Sequence, residues 1–320
     1  MQQSNSVTLE FGIIKEIKMD AIVKSDLRRV KKRGKVATFE APAKINLHLA
    51  VGEKRSDGFH PLESLFIKIP LFDSLRLSVE GAKKLAVEVH GLENLCEKGE
   101  DTMSKAFMAW CAKAQLSLSA TIDIIKRIPS QAGLGGGSSD AAAVLIMLDR
   151  LYPESRLTFS HLMEIALEVG SDVPFFVHNA RVGYVTGRGE CIEAVDVTLP
   201  KTLVLAMPQS SISTKNAYQK LDQIQKQKFL GKKILLEEVQ KPLVQWERGI
   251  WNDFLKVTDH DALDDLKKAV YKQGLDGYFS MSGSGSCNYV FIDENLVKMH
   301  DKFDKIAKSL STCKVFSCQM

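Results

Sequence analysis

Along residues 43–51 apolar and polar positions alternate. An extended chain would place Ile45, Leu47, Leu49 and Val51 on one face and Lys44, Asn46 and His48 on the other. The turn signal Arg55-Ser-Asp-Gly58 separates this strand from a second over residues 62–69. Glu100-Asp-Thr-Met opens a helix over residues 102–115, with Phe107 and Trp110 as core positions. A second helix, residues 158–169, runs into Gly170 as its C-cap, and Pro174 bars its continuation. Residues 182–186 and 191–195 read as a hairpin around Gly187-Arg-Gly189. Beyond a break near residues 196–201 come a buried strand (202–207), a charged helical stretch (220–245) and two more strands (278–281 and 288–292).

The most informative stretch lies between these elements. Residues 121–126 read as a half-buried strand with Ile122 and Ile124 on one face, and residues 141–149 as a helix that Ser138 or Ser139 can cap. The intervening Pro129-Ser-Gln-Ala-Gly-Leu-Gly-Gly-Gly-Ser-Ser139 holds four glycines and opens straight into the helix N-terminus. Glycine lets a backbone approach a ligand closely, and loop N–H groups at a helix start form an anion site. A polyphosphate is the anion that suits it. A Walker loop is excluded, because no lysine follows the glycines. A dinucleotide fingerprint fails at its third glycine, which would be Ser138, and helical periodicity replaces its second strand. A ligand-free turn is the other reading, although the Gly/Ser run 135–139 gives more freedom than a plain turn needs.

Composition narrows the class. A chain of 320 residues, 45% hydrophobic, can bury a large core, in one large or two ordinary domains. The longest apolar run, residues 141–148, is far short of the roughly 20 a membrane helix needs. No leader pattern opens the sequence. The six cysteines contain no Cys-x-x-Cys pair and read as thiols of a reducing cytoplasm, so a cytoplasmic protein is expected. The net charge of +4 is local: residues 1–35 carry +5 and the remainder −1. Residues 1–35 thus form a basic extension, read as a solvated tail in preference to an RNA or membrane arm. The rest is a poor candidate for binding nucleic acid or membrane.

Pro129-x-x-x-Gly133-Leu134-Gly135 followed by Ser-Ser-x-Ala resembles the phosphate loop of the GHMP kinases, the family of galactokinase, homoserine kinase, mevalonate kinase and phosphomevalonate kinase. Gly-Leu-Gly-Gly-Gly-Ser-Ser is similar in particular to the branch acting on 4-diphosphocytidyl-2-C-methyl-D-erythritol, in the methylerythritol phosphate route to isoprenoids. The resemblance runs from about residue 41 to the C-terminus. It implies an α+β, two-domain fold: an N-terminal domain of the ribosomal protein S5 domain 2 type (residues 36–198) and a ferredoxin-like C-terminal domain (residues 199–320).

It also implies roles. ATP phosphates would lie against Pro129, Ser130, Gln131, Ala132, Gly133, Leu134, Gly135, Gly136, Gly137, Ser138 and Ser139. Pro-Ala-Lys-Ile-Asn-Leu-His-Leu resembles the family's first motif, which makes Lys44 catalytic and places Asn46 on the substrate. Gly-x-Asp-Val-Pro-Phe-Phe resembles the block of the catalytic base, which assigns that role to Asp172. Arg-Ser-Asp-Gly-Phe-His-Pro-Leu resembles the cytidine-binding block: Phe59 would stack on the base and His60 would hydrogen-bond it. In the block at 208–218, which closes over the nucleobase, Thr214 and Tyr218 are the substrate residues, Tyr218 as second stacking ring. Ser280-Met-Ser-Gly-Ser-Gly-Ser-Cys287 is the third motif, and Asn252-Asp-Phe254 a further family-like segment without assigned chemistry. Relatives have an asparagine near the nucleotide where this chain has Thr102. Magnesium should bridge the phosphates. The glutamate some relatives use for it has no match, which leaves Ser138 as the candidate ligand.

Such a protein would move the γ-phosphoryl group of ATP to the 2-hydroxyl of the small-molecule substrate. A mevalonate- or homoserine-type GHMP kinase would keep Lys44, Asp172 and the loop without a use for Phe59-His60. A non-catalytic nucleotide-binding protein on the same fold would need neither Lys44 nor Asp172.

Overall fold

The computed structural model describes residues 34–92, 99–209, 212–224 and 228–320; the basic run at 28–33 and Cys96 lie outside them. Two sheets are stacked, each covered on its outer face by helices. In the first, β1 (Lys35–Val51) pairs antiparallel with β2 (Leu62–Gly81) along its length. The other edge of β2 is shared by β4 (Leu118–Ile125) and β5 (Val182–Thr186). β3 (Ala86–His90) and β6 (Cys191–Ala194) complete it. Its outer face carries α1 (Thr102–Ala114), α2 (Gly136–Leu151), α3 (Phe159–Val169) and the short α4 (Val173–Val177). Leu75, Leu77, Phe107, Trp110, Val144, Leu148 and Phe175 fill that interface.

The second sheet is four-stranded and antiparallel, in the order β10 (Cys313–Gln319), β7 (Thr202–Pro208), β9 (Asn288–Ile292), β8 (Tyr278–Met281). Ile45, Leu47, Leu65 and Ile67 of the first sheet meet Leu203, Leu205, Tyr278, Tyr289 and Phe291 of the second. α7 (Asp261–Tyr271) and α8 (His300–Ser309) cover the outer face of the second sheet through Leu266, Val270, Phe303 and Ile306.

Four expectations need correction. First, alternation along β1 does not persist. Asn46 pairs with Phe66 and His48 with Leu65, so Leu47 is an extra residue at a register shift. Past it the faces exchange. Leu49 and Val51 join the helix-side core, whereas Ile45 and Leu47 pack between the sheets. His48 is thereby separated from Lys44 and Asn46. Second, β2 runs on past residue 69 despite Pro70. Ala43 pairs with Ile69 and Pro42 with Phe72, so Pro70 falls where no ladder bond is required.

Third, α2 starts at Gly136 with Gly135 as its N-cap, ahead of both serines expected to cap it. Gly135 turns the chain at φ 70°, and the serines enter the first turn instead. Fourth, the stretch 220–245 is not one helix: α5 (Thr214–Leu221) ends where it begins, and α6 (Lys232–Val239) follows separately. Pro174 also acts differently from expectation, since it sits in the first turn of α4, where its missing N–H leaves nothing unpaired.

Candidate active site

Two chain segments converge on the Gly/Ser loop after β4. The Lys44 N–H donates to the Leu134 carbonyl (2.9 Å), the Ser282 hydroxyl to the Gly133 carbonyl (2.8 Å), and the Cys287 N–H to the Ala132 carbonyl (3.1 Å). The first motif and the third therefore hold the second by main-chain contacts. Gln131, Gly133 and Gly135 all have positive φ (57°, 76° and 70°), which curls the loop and turns its amides. At the start of α2 the first N–H groups have no intrahelical acceptor, no side chain caps them, and the first turn has no acidic residue. This is an anion cradle by geometry as well as by sequence. Within it the Ser139 hydroxyl is buried without a partner among the described residues. Thr102 Oγ1 donates to the Gly137 carbonyl (2.6 Å), so that side chain braces the start of α2.

Lys44 lies beneath the loop. It is 4% exposed, and its ammonium sits 2.6 Å from Asn46 Oδ1, 3.3 Å from Asp172 Oδ2 and 4.6 Å from the Phe66 ring centre. Asp172 comes from the turn between α3 and α4 and keeps about a third of its side chain exposed. Asn46 Nδ2 donates to Ser64 Oγ (3.1 Å), and that hydroxyl donates to the His48 carbonyl. The pair is fixed to the loop as well: a Cβ on Gly135 would stand 3.0 Å from the Phe176 ring and 3.1 Å from Lys44 Cγ. A buried cation thus lies between a phosphate-type loop and a solvent-reachable carboxylate. Such an arrangement can neutralise a phosphoryl group while the carboxylate takes up or orients a hydroxyl proton.

The predicted base-binding residues cluster in part. His60 and Tyr218 stack, ring centres 5.2 Å apart and planes at 28°. His60 Nδ1 is 3.0 Å from the Gly52 carbonyl, and Nε2 is 3.3 Å from Asp222 Oδ1. Tyr218 also meets the Phe254 edge at 5.0 Å. Burial, and then the negative charge of Asp172, push the Tyr218 phenol up to about 12, which puts this ring within the field of the Asp172 carboxylate. Phe59 lies outside that stack: it is 46% exposed, and the Arg188 guanidinium lies over its ring at 4.3 Å. Thr214 Oγ1 and Ser284 Oγ are 2.9 Å apart, joining α5 to the third motif.

Several residues here were not picked out from sequence. Ser282 bridges two motifs, donating to the Gly133 carbonyl and lying 3.3 Å from the Asn46 N–H. Asn252, which had no assigned chemistry, donates through Nδ2 to the carbonyls of Met281 and Gly283 (2.7 and 2.8 Å) and so fixes the third loop. Asp73 and Lys126 lie under the entry to the phosphate loop. A lone aspartate on a strand and a lone lysine at a strand end carry no signal in one sequence. Among the described residues, no group of three or more His, Cys, Asp or Glu side chains could hold a metal ion. Magnesium held on nucleotide phosphates asks for little more than a hydroxyl or one carboxylate from the protein, so this donor set is compatible with it.

Residues 101–180 match the family model described as the GHMP kinases N terminal domain. The chain is 34% identical over 264 residues to a 4-diphosphocytidyl-2-C-methyl-D-erythritol kinase of Bacteroides fragilis, covering 80% of this chain and 93% of that protein. It is 35% identical over 285 residues to the enzyme of that name from Prochlorococcus marinus, covering 82% and 88%. Among solved structures it superposes on a 4-(cytidine 5'-diphospho)-2C-methyl-D-erythritol kinase with a TM-score of 0.69 at 28% identity, over 88% of this chain and 98% of that one. A homoserine kinase from Cytophaga hutchinsonii shares the fold (TM-score 0.64, 16% identity, 90% and 95% covered). With such identity to curated relatives over four-fifths of its length, the chain belongs to the 4-diphosphocytidyl-2-C-methyl-D-erythritol kinase family, a branch of the GHMP kinases.

Proposed function

We propose that this protein transfers the γ-phosphoryl group of ATP to the 2-hydroxyl of 4-diphosphocytidyl-2-C-methyl-D-erythritol, a step of the methylerythritol phosphate route to isoprenoids. The observation that carries the reading is the Lys44–Asp172 contact, 3.3 Å, directly beneath the glycine loop at the start of α2. Phosphoryl transfer of this kind depends on positioning and on charge stabilisation around a loose transition state. The backbone of residues 129–139 and the α2 N-terminus hold the triphosphate. Lys44 neutralises charge that develops on the moving group. Asp172 accepts the hydroxyl proton or holds the hydroxyl in line, and Asn46, in contact with the Lys44 ammonium, faces the substrate. His60, Phe59, Tyr218 and Thr214 receive the cytidine end. Ser138 would be the hydroxyl that holds magnesium, which would supply charge screening for the phosphates.

The domain division at residues 198/199 belongs to the same proposal. Its support is that the first sheet draws its strands from residues 35–194 and the second from residues 202–319. The second follows a β-α-β-β-α-β order with strands arranged fourth, first, third, second, as in a ferredoxin-like domain. The ribosomal protein S5 domain 2 comparison rests on the resemblance alone. A cytoplasmic site of action suits a reaction that consumes ATP, and no helix among the described residues is long and apolar enough to cross a membrane.

The test is ADP release, coupled to NADH oxidation, with the diphosphocytidyl substrate, mevalonate and homoserine offered separately. Turnover of the first at least a hundred-fold above the others is expected. A preference for either of the others would replace the substrate assignment and leave the kinase chemistry standing.

A further inference from the structure

The phosphate loop is bounded on both sides by one buried charge cluster. On its entry side, Asp73 of β2 accepts from the backbone N–H groups of Arg127 and Ile128 through Oδ1 and pairs with Lys126 through Oδ2. On its exit side, Asp140 in the first turn and a half of α2 takes the other contact of the same lysine, 2.6 Å from Nζ to Oδ2. Asp73 and Asp140 are 0% and 2% exposed, and Asp140 Oδ1 has no partner among the described residues. Lys126 lies close under the helix start, since a Cβ on Gly136 would stand 3.2 Å from its Nζ. The 13 residues between Lys126 and Asp140 contain the whole cradle, and the ionic bridge closes that segment into a ring.

A buried triad of two carboxylates and one ammonium is a poor way to gain stability, because desolvation offsets most of the attraction. What it can supply is fixed geometry. We propose that Asp140, acting through Lys126 and Asp73, is a positioning residue that sets the separation of the two ends of the phosphate loop and so aims its amides at the nucleotide. This rests on the kinase reading only in that ATP is the ligand; the identity of the acceptor does not enter.

A pure field effect predicts the opposite sign. A carboxylate near the cradle repels phosphate, so removing its charge alone would tighten ATP binding. Positioning predicts weaker binding, since amides turned off the phosphates lose their charge-assisted hydrogen bonds. Lys126 and Asp73 are the charged groups that face Asp140; Arg127 turns away to Ser74 Oγ.

ATP binding by calorimetry, without acceptor, tests this on the full chain with Asp140→Ala and Asp140→Asn. Asp140→Ala should weaken ATP about ten-fold or more, with Asp140→Asn recovering most of the loss through its carbonyl. Unchanged or tighter binding by Asp140→Ala overturns the proposal, even if its melting temperature drops. If Asp140→Ala does not fold, ATP binding by Asp140→Asn tighter than that of wild type, the outcome of a pure field effect, overturns it. ATP binding without turnover of any acceptor would sink the proposed function and leave this inference intact.

Discussion

A Cβ placed on Gly133 would fall 2.0 Å from the carbonyl oxygen of Ser282. The second and third motifs therefore touch backbone to backbone, and the Ser282 hydroxyl donating to the Gly133 carbonyl locks that approach. Gly133→Ala should be damaging on two counts: φ of 76° disfavours a side chain, and the added methyl meets main chain that cannot rotate away. A loss of about 2–5 kcal/mol in urea unfolding is expected, from roughly 1–2 for the conformation and 1–3 for overpacking. A variant as stable as wild type would mean that the two loops separate at little cost.

In the proposed mechanism Lys44 and Asp172 act on one transferring group, so their losses should not add. Asp172→Asn should lower kcat by about 10²–10⁴, the usual worth of a general base, with the KM for ATP little changed. Lys44→Met keeps the buried stem and removes the charge, and it should lower kcat comparably. The double variant should be little worse than the poorer single one, as for residues that work as a unit. Steady-state kinetics on all three decide it: near-normal turnover in Asp172→Asn would remove that residue from the mechanism, and strictly multiplicative losses would separate the two roles.

How much was legible beforehand depended on whether the signal was local. The loop, the Lys44 strand and the Asp172 turn are contiguous stretches; the loop's residue types point to an anion, and the resemblance to family motifs supplied the expected roles of Lys44 and Asp172. The first-turn helix signal misled because Ser138 and Ser139 are good caps in general, while Gly135 supplies the turn here. Alternation along β1 failed at Leu47 because a single inserted residue leaves the pattern of types unchanged but exchanges the faces beyond it. The supports of the site, Ser282 with Gly133, Asn252 with Met281 and Asp73 with Lys126, are pairs far apart in sequence. Nothing local in one sequence marks them.

His48 is the residue most changed by that inserted position, and it gives a pH prediction. It is 0% exposed between Trp251 (ring centres 4.4 Å apart) and Glu63 Oε2, 3.9 Å from its Nε2. That carboxylate is already engaged by the Tyr184 hydroxyl and the N–H groups of Leu230 and Gly231. Burial pushes the imidazole down to about 3. The unfolded chain takes up a proton below about pH 6.5 and the folded chain does not, so this group removes stability as pH falls from 6.5 toward 3. The slope approaches about 1.4 kcal/mol per pH unit, or roughly 2–3 kcal/mol by pH 4.5. His48→Asn, whose carbonyl can accept from the Trp251 N–H, should lack that slope. The difference between the two proteins is the observable, because Asp140, raised to about 7, acts in the opposite sense over part of the range and cancels. Parallel stability curves from pH 6.5 to 4.5 would show that His48 ionises in the folded state.

Substrate choice should divide between the rings and the imidazole. A base–aromatic stack contributes roughly 1–3 kcal/mol, a five- to hundred-fold effect on affinity for each ring removed. Stacking cannot tell cytosine from uracil, because every base presents a π-face. Discrimination needs a hydrogen bond at the base edge, and a polar group left unpaired by the wrong base adds a further penalty. With Nδ1 directed at the Gly52 carbonyl, His60 has only Nε2 to present, and that nitrogen now faces Asp222. Among the described residues Phe59 stacks only with the Arg188 guanidinium, so Phe59→Ala should weaken the cytidine and uridine substrates equally. His60→Ala should lower kcat/KM for the cytidine form alone and narrow the gap between the two. Tyr218 supports the His60 ring from one face, so Tyr218→Ala should do both, losing affinity for either base and part of the preference. Measuring kcat/KM for both substrates in the three variants separates these roles. If all three leave the cytidine substrate unaffected, the base binds elsewhere, and the Phe59–His60–Tyr218 assignment fails.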